Sequence, residues 1–64
     1  MNALAQQYKD GYGEDAIWRF FEDLMRDDPI HHKRGYSREN AIIATAEAFG
    51  LPESEVEKEV KIHE

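Results

Sequence analysis

The chain has 64 residues, no cysteine, 41% apolar residues and 14 Asp plus Glu against eight Lys plus Arg, a formal net charge of −6. A single domain of this size buries only about 60% of the surface its unfolded form exposes, and its core alone rarely supplies more than roughly 3–5 kcal/mol. Disulfides and thiolate metal sites are excluded as reinforcement, so association with another molecule is the expected substitute.

No apolar run approaches the roughly 18 residues of a membrane span. Met1–Asp10 lacks the basic start and apolar centre of a signal peptide, and a cytoplasmic setting is the expectation. Neither repeats nor low-complexity stretches interrupt the sequence.

In chain order, Asn2 is placed to cap a short helix through Ala3–Lys9, with Leu4 and Tyr8 four apart on one face. Asp10-Gly11-Tyr12-Gly13 reads as a break. A second helix follows with Gly13 as its N-cap and Glu14 and Asp15 in the first turn, where carboxylates favour the positive end of the dipole. Tyr12 and Ile17 then have the spacing of a hydrophobic staple. Pro29 is expected to end this helix by pushing Asp28 out of helical geometry.

Ile30–Tyr36 has no period and reads as a loop. Ser37 predicts the cap of a third helix, Arg38–Phe49. Gly50 stops it in the left-handed conformation, with Leu51 folding back on Ala46. A fourth helix begins near Pro52, or at Ser54, where Ser54-x-x-Glu57 matches a capping box. Val56 and Val60 give it one narrow apolar stripe. The alternation Val60-Lys61-Ile62-His63 also suits a short strand. The expected class is all-α: a bundle of three to four short helices with a helix-turn-helix-like hairpin in its C-terminal half.

On a wheel at 100° per residue the second helix carries Ala16, Phe20, Leu24, Ile17, Phe21, Met25 and Trp18 over roughly 200°. That is about twice the stripe a surface helix needs. The third helix is similarly apolar, interrupted mainly by Asn40 and Glu47. Two readings follow. Either the helices cover one another, or an apolar patch remains as a partner or homodimer face, with Trp18, Met25 and Phe21 as its anchors.

Lys33, Arg34 and Arg38 form a basic cluster beside Tyr36, with no acid between Ile30 and Arg38. It either neutralises Asp27 and Asp28 at the second helix's C-terminus or contacts an anion or acidic partner. His31 and His32 are adjacent in a loop and lack a third ligand at helical spacing, so neither a metal nor a cofactor is expected. Ser37 and Ser54 serve as caps, and no glycine loop has phosphate-cradling spacing; catalysis is not expected.

Ala46, Gly50, Leu51 and Val56 resemble the helix-turn-helix pattern over Ile42–Lys61. The resemblance departs where an apolar residue is due three positions after Val56 and Glu59 stands instead. It implies a recognition helix in the major groove. Here that helix carries Glu53, Glu55, Glu57 and Glu59 against Lys58 and Lys61, and phosphates would repel it. The leading expectation is a non-catalytic helical protein that binds and modulates a partner protein, with homodimerisation as one form of that association. A small acidic chain of this kind also fits the products of phages or mobile elements. The alternatives are a nucleic-acid-binding regulator and an acidic mimic of DNA.

Overall fold

The computed structural model describes all 64 residues. It comprises helix α1 (Ala3–Tyr12), a 3-10 turn (Gly13–Asp15), and helices α2 (Ala16–Met25), α3 (Arg38–Phe49) and α4 (Glu53–His63). The chain is all-helical and forms no strand; an isolated antiparallel bridge joins Asp28 and Lys33.

The Asn2 side chain caps α1 by accepting from the Ala5 N–H at 2.8 Å. The helix then runs through Asp10-Gly11-Tyr12, where a break was expected. Gly11 is exposed and a helical glycine costs only about 1 kcal/mol, which the docking of buried Ala5 and half-buried Tyr8 against α2 and α3 offsets. The break falls at Gly13, which has φ 60° and donates its N–H to the Lys9 carbonyl. Gly13 therefore terminates α1 and does not cap α2. Glu14 and Asp15 lie in the 3-10 turn that precedes Ala16. Tyr12 is the last residue of α1, its ring 5.3 Å from the Arg19 guanidinium carbon.

Helix α2 ends at Met25, earlier than Pro29 implied, because Arg26 is extended. The cause is tertiary. The chain returns over the last turn, and Tyr36 donates its N–H to the Leu24 carbonyl at 2.7 Å. Gly35 lies so close that a Cβ there would sit 2.1 Å from the Met25 carbonyl oxygen.

The bounds of α3 are those the sequence predicts. Ser37 Oγ accepts from the Asn40 N–H at 3.2 Å, and Gly50 adopts the left-handed conformation with φ 68°. Leu51 donates to the Ala46 carbonyl at 3.0 Å and Gly50 to that of Glu47 at 3.4 Å, the paired bonds of a Schellman ending. Pro52 flanks α4, and Ser54 lies inside its first turn without capping it. The strand reading of residues 60–63 is corrected too: they are helical, with Val60 fully buried and Lys61 and His63 at the dipole's negative end.

Two apolar clusters hold the helices together. Phe21 joins Ala41, Ile42, Ala46, Val56 and Val60; Phe20 joins Ala5, Ala16, Ala48 and Phe49. Neighbouring positions of α2 thus point into different clusters, and Ile17 and Leu24 pack against both. This accounts for the wide apolar arc. Helix α2 packs on α1 and the end of α3 through the Phe20 cluster and on α3 and α4 through the Phe21 cluster, so most of the arc is used internally. The alanines of α3 let these backbones approach. Thr45, also on α3, is fully buried and its hydroxyl has no hydrogen-bond partner.

Candidate interaction surface

The apolar residues left exposed lie mainly at helix ends and in the long connection. The segment Asp27–Tyr36 folds as a tight excursion from the end of α2. Asp28 and Lys33 exchange both backbone bonds, at 2.8 and 2.9 Å, closing a four-residue turn over Pro29–His32. His32 completes that turn with φ 54°, a left-handed conformation costing a non-glycine residue about 1 kcal/mol or more. Two carboxylates fasten the base. Asp27 accepts from the Gly35 N–H at 2.8 Å. Asp28 accepts from the His31 N–H at 3.2 Å and contacts the His31 ring at 2.7 Å.

This framework presents Ile30 at the tip, 83% exposed, with Met25 and Tyr36 at the base, 38% and 50% exposed. Lys33 and Arg34 are exposed between them, and neither takes part in an ion pair. Asp27 and Asp28 are occupied by the loop's backbone and by His31, so these two cations remain available to an external group. The surface therefore combines three apolar side chains with two unpaired cations on a chain whose net charge is −6. Its backbone is ordered in advance, which lowers the entropic cost of binding.

The residues singled out from sequence thus divide. Met25, Lys33, Arg34 and Tyr36 are exposed in or beside this loop, where Gly35 and Tyr36 lie against the end of α2. Arg38 lies elsewhere: its guanidinium binds Glu64 at 2.9 Å and approaches Glu57 at 3.7 Å, tying the start of α3 to α4. That pairing raises the Arg38 pKa and holds the Glu64 carboxyl below its usual range, the hydrogen bond being the main cause of each.

Phe21 is 2% exposed and belongs to the core. It is out of reach of any external molecule while the helices stay packed. Trp18 is half-buried at the rim of the same cluster, stacked on Phe21 at 5.7 Å and on His63 at 5.2 Å with an interplanar angle of 10°. It fastens the end of α4 to α2.

Ile30 was not singled out from sequence. A signal for it existed. An isoleucine between Pro29 and His31, in a stretch with no apolar period, has no helix face on which to be buried.

A second feature lies around the first turn of α2. An apolar pocket of about 260 Å³ is lined by Met1, Ala16, Ile17, Phe49 and Leu51, with Lys9 and Glu14 among its polar residues. Between α3 and α4 is a more open and polar cleft, lined by Arg38, Glu39, Ile42, Glu53 and Glu57. No three His, Asp or Glu side chains converge closely enough to hold a metal ion, and no helix is long and apolar enough to cross a membrane. Comparison of the chain with known protein families, with curated proteins and with solved structures finds no match in any of the three.

Proposed function

We propose that this is a non-catalytic helical protein that binds and modulates a partner protein, and that the loop surface of Met25, Ile30, Lys33, Arg34 and Tyr36 makes the contact. The observation that carries this reading is Ile30. A large aliphatic side chain, more than four-fifths exposed, stands on a turn that backbone bonds and carboxylate anchors hold in one shape. Full burial of such a side chain yields roughly 1.5–3 kcal/mol, and the flanking cations favour a partner with carboxylates around an apolar socket.

The test is affinity capture with the immobilised chain, comparing wild type with Ile30→Asp and with a Lys33→Glu, Arg34→Glu double variant. All three should give the same circular dichroism, because the altered side chains make no core contact. A discrete protein recovered by wild type and lost by both variants supports the reading. Recovery that ignores both variants but fails when α4 glutamates are replaced would move the contact to the acidic body and favour mimicry of nucleic acid.

The connection between α3 and α4 supports a second reading, in which Ile42–Lys61 acts as a degenerate helix-turn-helix. Three residues, Gly50–Pro52, join the two helices, a length and glycine usage common in that motif. The exposed residues of α4 include Glu53, Glu55, Lys58 and Lys61, which weakens this reading because a groove-facing helix must neutralise phosphates.

A further inference from the structure

Three helix ends meet around the recess at the start of α2. Lys9 and Gly13 belong to the end of α1, Ala16 and Ile17 open α2, and Phe49 closes α3 with Leu51 just beyond it. Backbone bonds fix these ends. Gly13 donates to the Lys9 carbonyl, Asn2 to that of Ala48 at 2.8 Å, and Leu51 to that of Ala46 at 3.0 Å. Ala16 and Phe49, 2% and 6% exposed, are the most deeply set of the lining residues, and the Phe49 ring is held edge-on against Phe20 at 5.4 Å. An apolar lining formed in advance, with a few polar groups added, is the usual build of a small-molecule site.

The polar groups narrow the ligand. Lys9 and Glu14 carry opposite charges, and neither takes part in an ion pair. The other charged residues between positions 9 and 19 are engaged. Asp10 accepts from the Gln6 amide at 2.9 Å, Asp15 lies 3.9 Å from His63, and the Arg19 guanidinium carbon lies 5.3 Å from the Tyr12 ring. The two uncommitted charges of this stretch are therefore the two that line the recess. A neutral ligand would leave both unanswered, and a singly charged one would meet like charge at one of them. A zwitterion answers both. At about 260 Å³ the recess falls just below the roughly 300–1,000 Å³ of sites for drug-sized ligands, which leaves room for a whole small molecule.

We propose that the recess binds a free apolar α-amino acid, its carboxylate on Lys9, its ammonium on Glu14 and its side chain against Ala16, Ile17, Phe49 and Leu51. The site is separate from the Met25–Tyr36 loop, so the proposal does not rest on the loop as a protein contact. An occupant that bridges three helix ends stabilises the folded chain by mass action, which makes the stability of this small body responsive to amino-acid concentration.

The experiment is a heteronuclear NMR titration of the full chain with L-phenylalanine, alongside glycine, phenylpropionate and phenethylamine. Phenylalanine should shift the amides of Gly13, Ala16, Phe49 and Leu51 and reach saturation. Glycine keeps both charges but lacks the apolar body, and should bind at least about tenfold more weakly. Each singly charged analogue should also lose about tenfold, as expected for one charge-assisted hydrogen bond. Lys9→Met and Glu14→Gln alter exposed residues, so circular dichroism should be unchanged. Lys9→Met should erase the preference for phenylalanine over phenethylamine, and Glu14→Gln the preference over phenylpropionate; a merely structural role for either residue predicts no such pairing. Absence of saturable shifts up to about 10 mM phenylalanine, well beyond a millimolar Kd, overturns the site. Equal affinity for phenylalanine and both analogues overturns the zwitterion. Tighter binding of phenylalanyl-phenylalanine than of phenylalanine overturns the free amino acid in favour of a short peptide.

Discussion

Tyr8 shows how one polar contact joins helices that otherwise meet through small apolar residues. Its hydroxyl donates to Asp23 at 2.5 Å, while its ring packs edge-on against Phe20 at 5.0 Å. The hydrogen bond to the Asp23 carboxylate, followed by burial, pushes the Tyr8 hydroxyl up from 10.0 to about 12. The folded state thus favours the protonated phenol, so the contribution is fully present below about pH 10 and is lost as pH rises through about 12. Tyr8→Phe should cost about 1–2 kcal/mol at neutral pH, as expected for a hydrogen bond to a charged group. The gap between the two proteins in urea unfolding should close between pH 10 and 12. A gap unchanged at alkaline pH would mean that the ring, not the hydroxyl, joins α1 to α2. The sequence placed Leu4 and Tyr8 on one face but gave no hint of Asp23, which lies 15 residues away and is reached only through packing. The same limit applies to Trp18 and Phe21. Periodicity shows that both are apolar and close on the wheel, but not that Phe21 points into the core while Trp18 stays at its rim against His63.

At the scale of elements, local chemistry made α3 legible and tertiary contact obscured the neighbouring ends. Ser37 and Gly50 act within a turn of the residues they cap, so their positions alone predict Arg38–Phe49. The end of α2 is set by residues ten or more positions further along, because Tyr36 bonds to Leu24 and Gly35 lies against the Met25 and Arg26 peptide; no local rule reads that. Likewise α1 extends through Gly11 because its docking outweighs a weak propensity, and the end of α4 is helical because buried Val60 anchors it. Gly35 tests the tertiary cap. A methyl there would meet backbone atoms at 2.1, 2.4 and 2.9 Å, and backbone cannot swing aside as a side chain can. Gly35→Ala should therefore lift the loop from α2 and destabilise the protein by about 1–3 kcal/mol, with faster hydrogen exchange at the Tyr36 amide. An unchanged melting temperature with Tyr36 still protected would show that the loop tolerates a side chain and that α2 ends for another reason.

For the whole molecule, charge placement decides between classes of partner. The all-helical class was legible because apolar periods and caps agree along most of the chain. The candidate surface was legible only in part, because exposure of Ile30 and commitment of Arg38 to Glu57 and Glu64 depend on where the helices end up. With Arg38 engaged and Lys61 3.9 Å from Glu57, the α3–α4 half has little positive charge left to offer phosphates. Lys9, Arg19, Lys33, Arg34 and Lys58 take part in no ion pair, but they are spread over α1, α2, the loop and α4. Only Lys33 and Arg34 adjoin in sequence, too sparse a set of cations to hold a duplex against the field of a −6 chain. Random duplex DNA should therefore not be retarded in a gel-shift at moderate salt, even with the protein in the micromolar range. Binding weakened by Lys33→Ala or Arg34→Ala, and steeply by added salt, would instead favour the helix-turn-helix reading with the loop as its phosphate contact. If the chain fails to bind DNA but competes with it for a third protein in a salt-dependent way, the acidic outer residues of α4 become the functional surface, and the loop's role reduces to holding the end of α2.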